Sequence, residues 1–218
     1  MSNLKLAGLA PVVSLLALVS VQANAAEPVK YWGVHAGANT LDEMNARIDF
    51  GSGTPFDGHA DLKRGLHGGL MVGRQSEHAR YELEVEQGLF KVERLSLGAV
   101  SEPKDARGRY QVLFANAYRT DRLSDSIDSF FGAGIGWGRI KLPRLGLGAN
   151  CDCFGPASKS GFAWQVRAGL GYRVSEQASV SLQYTLLKLP TPEAGGPPEI
   201  RYERKRFGAV SLGYSRQF

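Results

Sequence analysis

The densest run of chemistry-bearing residues in this 218-residue sequence is Arg80-Tyr81-Glu82-Leu83-Glu84-Val85-Glu86, where three carboxylates recur at every second position. On a helix that spacing scatters the acids around the circumference; on a strand it puts all three on one face. A row of this kind can neutralise cations, carry protons or orient a catalytic histidine. A Ser-His-acid constellation needs a histidine within hydrogen-bond reach of a serine and of the acid. His59 and His78 fall in connecting segments, whereas His35 and His67 fall on strands and can share a face with the acids. The pattern places no serine beside them, so no catalytic residue is assigned. The simpler reading is a mutually neutralising network of Glu82, Glu84, Glu86, Arg167 and Arg173, with Gln165 and Gln183 on the same face. Cys151 and Cys153, in the run CDC, lack two further ligands nearby for a metal site. A small strained ring, free thiols and pairing between chains all remain open for them. No metal and no cofactor are expected.

The elements that position these residues read as eight alternating segments. The first runs over about 30–39, with Trp32, Val34, Ala36 and Ala38 on one side. The second covers about 64–75, the third about 79–92 and the fourth about 109–119, whose faces are hard to assign because Asn116 falls in phase with Val112, Phe114 and Tyr118. The fifth sets Phe131, Ala133, Ile135 and Trp137 against four glycines, which make room for longer neighbours. The sixth carries Phe162, Trp164 and Val166 opposite Gln165 and Arg167, and the seventh carries Val180, Leu182 and Tyr184 opposite Ser181 and Gln183. The last, 206–218, alternates Val210, Leu212 and Tyr214 with small residues and ends on Phe218. Connections after odd segments are long, at about 40–63, 93–108, 143–160 and 190–203; those after even segments are short.

Lys5, the apolar run 6–21 and the small-x-small site Ala23-Asn24-Ala25 read as an export signal over 1–25, leaving a single domain over 26–218. No later run reaches the roughly 18 unbroken apolar residues of a membrane helix. A net charge of +5 and a pI near 9.3 suit phosphate-bearing lipid headgroups better than nucleic acid in an exported chain. Strands of about ten residues match the length needed to cross an apolar layer at a tilt. Closure of eight of them satisfies the backbone groups that an open sheet would leave unpaired in lipid. The fold class expected is all-β, an eight-stranded antiparallel up-and-down transmembrane barrel.

FFGAGIGWGR, FAWQVRAGLGYRVSE, VSLQYTLL and the strand closing on Phe218 resemble the small eight-stranded outer-membrane proteins of the opacity-protein and OmpA-like barrel families, over nearly the whole mature chain. Arg216 departs from that pattern, standing where such closing strands usually carry another aromatic. The resemblance implies a bacterial outer-membrane location and a closing signature of Val210, Leu212, Tyr214 and Phe218 read by the barrel-assembly machinery. It implies a non-enzymatic role, structural or as a surface antigen or adhesin that meets a host or envelope ligand through its loops. A narrow gated pore, in which Glu and Arg groups exchange partners, is the alternative. A soluble lipocalin-like binder and a lipid A-modifying enzyme are the remaining classes. Arg201, Arg204, Lys205 and Arg206, at the expected outer rim, are candidates for lipopolysaccharide phosphates.

Overall fold

A computed structural model describes residues 28–40, 43–51, 53–148, 154–194, 198–203 and 206–218. The expected leader, Cys151, Cys153, Arg204 and Lys205 lie outside them. The described chain forms β1 (Val29–Thr40), β2 (Glu43–Asp49), β3 (Phe56–Lys63), β4 (Gly65–Gln75), β5 (Ala79–Leu97) and β6 (Val100–Arg122). It continues as β7 (Ile127–Leu142), β8 (Ala157–Arg173), β9 (Ala178–Lys188), β10 (Glu193–Ala194), β11 (Glu199–Tyr202) and β12 (Arg206–Gln217).

Eight of these strands are staves. They pair antiparallel in the order β5-β4-β1-β12-β9-β8-β7-β6, and β6 pairs back onto β5, so the ring closes. The two chain ends meet in the wall: Trp32 lies opposite Arg216 and Ala38 opposite Val210. The Phe218 N–H adds one more bond at 3.0 Å to the Lys30 carbonyl. Alternation then sorts the side chains. Leu70, Leu83, Val85, Leu113, Ile135, Trp137, Leu182 and Leu212 form an exposed apolar outer face, while Glu82, Glu84, Glu86, Gln165 and Arg167 are buried inside. An apolar outside around a polar, filled inside is the inverse of a soluble barrel, and it is the arrangement that lipid requires.

The register settles the faces of β6. Tyr110, Val112, Phe114, Asn116 and Tyr118 all point inward and are buried. Across the ladder, Val112, Phe114, Asn116 and Tyr118 stand opposite Gly138, Gly136, Gly134 and Gly132 of β7. The glycines of β7 therefore face the bulk of β6. A Cβ at Gly134 would come within 1.8 Å of Asn116 Oδ1, and one at Gly136 within 2.7 Å of the Phe114 ring.

Three of the four long connections carry strands, which corrects the sequence reading. The segment 93–108 continues β5 and β6 as one ladder that turns only at 98–99. Within 40–63 the chain folds as the β2–β3 hairpin, and 190–203 contains β10 and β11. β4 pairs with β5 up to His67 opposite Gly88; β3 takes over from Lys63 opposite Lys91. The outer sheet then widens as β5-β3-β2-β11-β10. At a rise of roughly 3.3 Å per residue and a tilt of about 40°, β6 stands some 55–60 Å tall, about twice the apolar band of a transmembrane barrel.

The apolar core continues into this extension. Met44, Ile48, Leu62, Val92, Leu95, Leu145, Phe154, Ile200 and Tyr202 cluster inside it, continuous with Phe90, Phe114 and Phe207 of the upper barrel. Each large side chain so buried stabilises by about 1.5–3 kcal/mol. The outward face is charged: Lys63 pairs with Glu93, Lys91 with Asp105 at 3.1 Å and Arg47 with Asp57 at 3.7 Å. Such exposed pairs add little stability, but they mark a face turned to water. That polar outer face hid these strands from a search for membrane-type alternation. The Gly148 N–H donates to Glu102 at 2.9 Å and so ties the third connection to β6. Lys104 and this N–H hold the Glu102 carboxyl below its ordinary value. The tether therefore holds above the usual carboxylate range and loosens as pH falls through the depressed value.

Replacing Gly134 by valine forces Asn116 off its position. We expect a loss of about 1–3 kcal/mol, read as an earlier urea midpoint in detergent micelles, whereas Gly171→Ala, where a Cβ meets nothing nearer than 3.9 Å, changes stability by under about 1 kcal/mol.

Candidate functional site

The lumen is layered. Nearest the periplasmic turns, Arg80 reaches Glu82 with Nε at 2.6 Å and also with its terminal nitrogen. The Tyr31 hydroxyl donates to the same carboxylate at 2.5 Å. The Arg80 guanidinium lies 5.0 Å from the Phe130 ring centre and 5.3 Å from those of Tyr31 and Tyr118. One cation is thus held by a carboxylate and a cage of three rings.

One pleat higher, Glu84 is the hub. Its Oε1 takes Arg167 at 2.8 Å and lies 2.6 Å from His35 Nε2; its Oε2 takes Asn116 at 2.7 Å and Gln165 at 3.0 Å. Arg167 also donates to Thr185 at 3.0 Å and to Gln165 at 3.1 Å. A buried carboxylate is costly unless its lone pairs are filled, and here all of them are. Glu86, one pleat above, accepts from the Tyr110 hydroxyl at 2.9 Å and lies 3.7 Å from Arg167. Beyond it the lumen turns apolar, with Phe90, Phe114 and Leu187 almost fully buried. Water and ions meet first a charged layer and then a dry one.

Glu82, Glu84, Glu86 and Arg167 thus come together with His35, which the strand pattern had placed on their face, and with Asn116 and Arg80, which spacing alone did not single out. Arg173 does not join them, which corrects the sequence reading. It stands at the periplasmic mouth on Asp128, 3.0 Å away and partly exposed. The one-sided pattern of its strand extended past the end of the lumen, where the interior opens into a cavity of about 670 Å³ that Arg173, Asp128, Thr120 and Tyr31 line. Gln183 points inward, yet neither end of its amide finds a partner.

At the outer end of the apolar band the first outward charges are basic. Arg109 follows Leu113 on β6, Arg139 follows Trp137 on β7, Lys188 follows Leu186 on β9 and Arg206 precedes Val210 on β12. Register sets them nearly level: Arg206 lies opposite Lys188, and Gln111, between Arg109 and Leu113 on the outer face, opposite Arg139. Arg201 sits higher, on β11, and is already paired to Glu199 at 2.6 Å. β8 and β9 stop pairing at Trp164 opposite Lys188, and above that point a notch of about 550 Å³ opens in the wall. Trp164 and Phe162 floor it, Lys159, Lys188 and Arg201 flank it, and Lys188 lies 6.0 Å from the Trp164 ring centre. Only Arg206 and Arg201 of this set were singled out from sequence. The missing signal was the first cation after each strand's apolar run.

The sequence model of the outer membrane protein beta-barrel domain family matches residues 12–218. The chain belongs to this family. It is a protein of the bacterial outer membrane, and the exposed apolar face meets lipid. Among solved structures it is similar to Neisserial surface protein A, at 14% identity over 86% of this chain and 97% of that one, with a TM-score of 0.52. It is also similar to the attachment invasion locus protein Ail of Yersinia pestis, solved with the heparin analogue sucrose octasulfate, at 16% identity over 87% and 99%, with a TM-score of 0.42. The outer membrane protease OmpT of Escherichia coli matches at 10% identity over 88% and 94%, with a TM-score of 0.40. No curated protein matches the chain significantly. The likeness to Neisserial surface protein A gives the fold alone, so activity must be argued from the residues.

Removing Arg167 as Arg167→Met strands Glu84 in a closed interior, and we expect a loss of about 3–5 kcal/mol. The partly exposed Arg173→Met should cost under about 1 kcal/mol. Urea unfolding of both variants in micelles, followed by the gel shift between boiled and unboiled samples, gives the comparison.

Proposed function

We propose that this protein is a sealed, non-enzymatic outer-membrane barrel that grips the lipopolysaccharide leaflet through its basic belt and presents its outer sheet as an interaction surface. The observation that carries this reading is the continuation of β5 and β6 far beyond the apolar band, where they are joined by β2, β3, β10 and β11 over an extension of the barrel's apolar core. A fold that needed only to span the membrane would turn back at the band. Extending the apolar core outside it produces a rigid, charged platform of fixed shape, as binding surfaces borne on strands require. Arg109, Arg139, Lys188 and Arg206 stand where headgroup phosphates lie, and the Trp164 notch sets an apolar floor beside Lys188, its other cations, Lys159 and Arg201, being paired to Glu193 and Glu199. That pairing of chemistries suits a phosphorylated lipid. The filled lumen supports a plug over a pore.

Intact cells displaying the chain should retain more of at least one surface, whether immobilised matrix protein, epithelial cell or neighbouring bacterium, than vector controls. A chain with 94–103 replaced by a two-residue turn should lose that gain while keeping its gel shift. Equal retention by displaying and control cells overturns the interaction role. In planar bilayers we expect no steady conductance, and Arg139→Glu with Lys188→Glu should weaken lipopolysaccharide binding about tenfold or more at low salt.

A further inference from the structure

The lumen holds more ligating atoms than its ion pairs consume. Glu82 has Arg80 and Glu84 has Arg167, but Glu86 has no guanidinium of its own: three carboxylates face two guanidiniums. Two imidazoles flank the remaining acid. The rings of His35 and His67 lie 5.6 Å apart, and His67 Nδ1 is 3.9 Å from Glu86 Oε1. One ligating atom from each of His35, Glu84 and Glu86 lies within 4.8 Å of the others.

A second observation points into this cluster. The His67 side chain is 2% exposed, yet neither of its ring nitrogens has a hydrogen-bond partner, and His35 Nδ1 has none either. Orphaned nitrogens at that depth carry the desolvation cost of polar groups left unpaired. Gly69 adds a third. It lies opposite both His35 and Glu86 in the ladder, and a Cβ there would come within 2.3 Å of His35 Nε2. The wall is bare where the imidazole and the carboxylates converge.

We propose that His35, His67, Glu84 and Glu86 form a site for one divalent transition-metal cation of the zinc class. Imidazole and carboxylate donors suit such ions. Bonds of about 2.0–2.1 Å put tetrahedral donors roughly 3.3 Å apart. His35 Nε2 and Glu84 Oε1, now 2.6 Å apart, must open by under an ångström, the ion replacing the hydrogen bond between them, and His67, 3.9 Å from Glu86 and outside the group of three, must swing its ring in to complete the set. Arg167, Asn116 and Gln165 on Glu84, and Tyr110 on Glu86, then hold the ligating carboxylates in place. The cation would join β1, β4 and β5 across the interior. Because the Arg80 layer lies below and the apolar core above, the ion enters while the barrel folds and exchanges slowly afterwards.

The test is refolding of the full-length protein, carrying Cys151→Ser and Cys153→Ser so that no thiol supplies a signal, into micelles with zinc chloride or with EDTA. After desalting, elemental analysis should find about one zinc per folded chain, and cobalt in its place should give a visible absorption band of four-coordinate type. His67→Ala and Glu86→Gln, each checked for folding by the gel shift, should retain at least about tenfold less metal. Folded protein that keeps no zinc and shows no cobalt band overturns the proposal. So does equal metal retention by folded His67→Ala and Glu86→Gln. If neither variant folds, the cobalt band of the His-competent protein alone decides, its absence being the negative result.

Discussion

Inside hydrocarbon there is no water to satisfy a peptide group, and an unpaired N–H or C=O costs several kcal/mol by rough estimate. Everything else in this molecule follows from closing the ring under that constraint. The pairing of β1 with β12, at the two ends of the chain, removes both edges that an open sheet of staves would otherwise expose. Closure at eight strands also fixes the bore, which is only wide enough for side chains. The sequence must then fill a narrow cylinder, and it does so by setting the large residues of β6 against the glycines of β7.

The narrow interior explains why charge and grease occupy different heights. Glu82, Glu84 and Glu86 fall in one column of β5, and each takes donors from other strands, Tyr31, Arg167, Asn116, Gln165 and Tyr110, with Arg80 of β5 itself adding to Glu82. Above Glu86 the column changes to Gly88, Phe90 and Val92, and the lumen becomes continuous with the core of the outer sheet. The polar part fixes which strands face one another, since each donor has a particular acceptor. The apolar part supplies most of the burial and joins barrel to platform.

The staves were legible because period-2 alternation between an apolar outer face and a polar inner one is a strong pattern, and the row of acids on β5 told the faces apart. The strands beyond the band were not, because Lys63, Lys91, Glu93 and Asp105 put charge outside and Leu62, Val92 and Leu95 put grease inside, the inverse of the membrane pattern. β6 was ambiguous for the same reason: Val112 and Phe114 line a dry stretch of lumen and Asn116 a wet one, on one face of one strand. The basic belt and the convergence of His35 with His67 depend on register between strands, which residue spacing within a strand does not carry. Arg173 shows the reverse limit, a correct face at a height where the lumen has ended.

The ladder of β5 and β6 beyond the band has an immunological consequence. From Leu89 opposite Arg109 to Leu97 opposite Val100, its backbone is committed to pairing and alternate side chains are turned into a core. An antibody approaching from outside would therefore meet no flexible peptide there. Its epitope would be a patch assembled across strands, such as Lys63 with Glu93 or Lys91 with Asp105, drawn from stretches far apart or folded back in the chain. Sera raised against short linear peptides from this region would recognise the denatured chain and pass over the living cell.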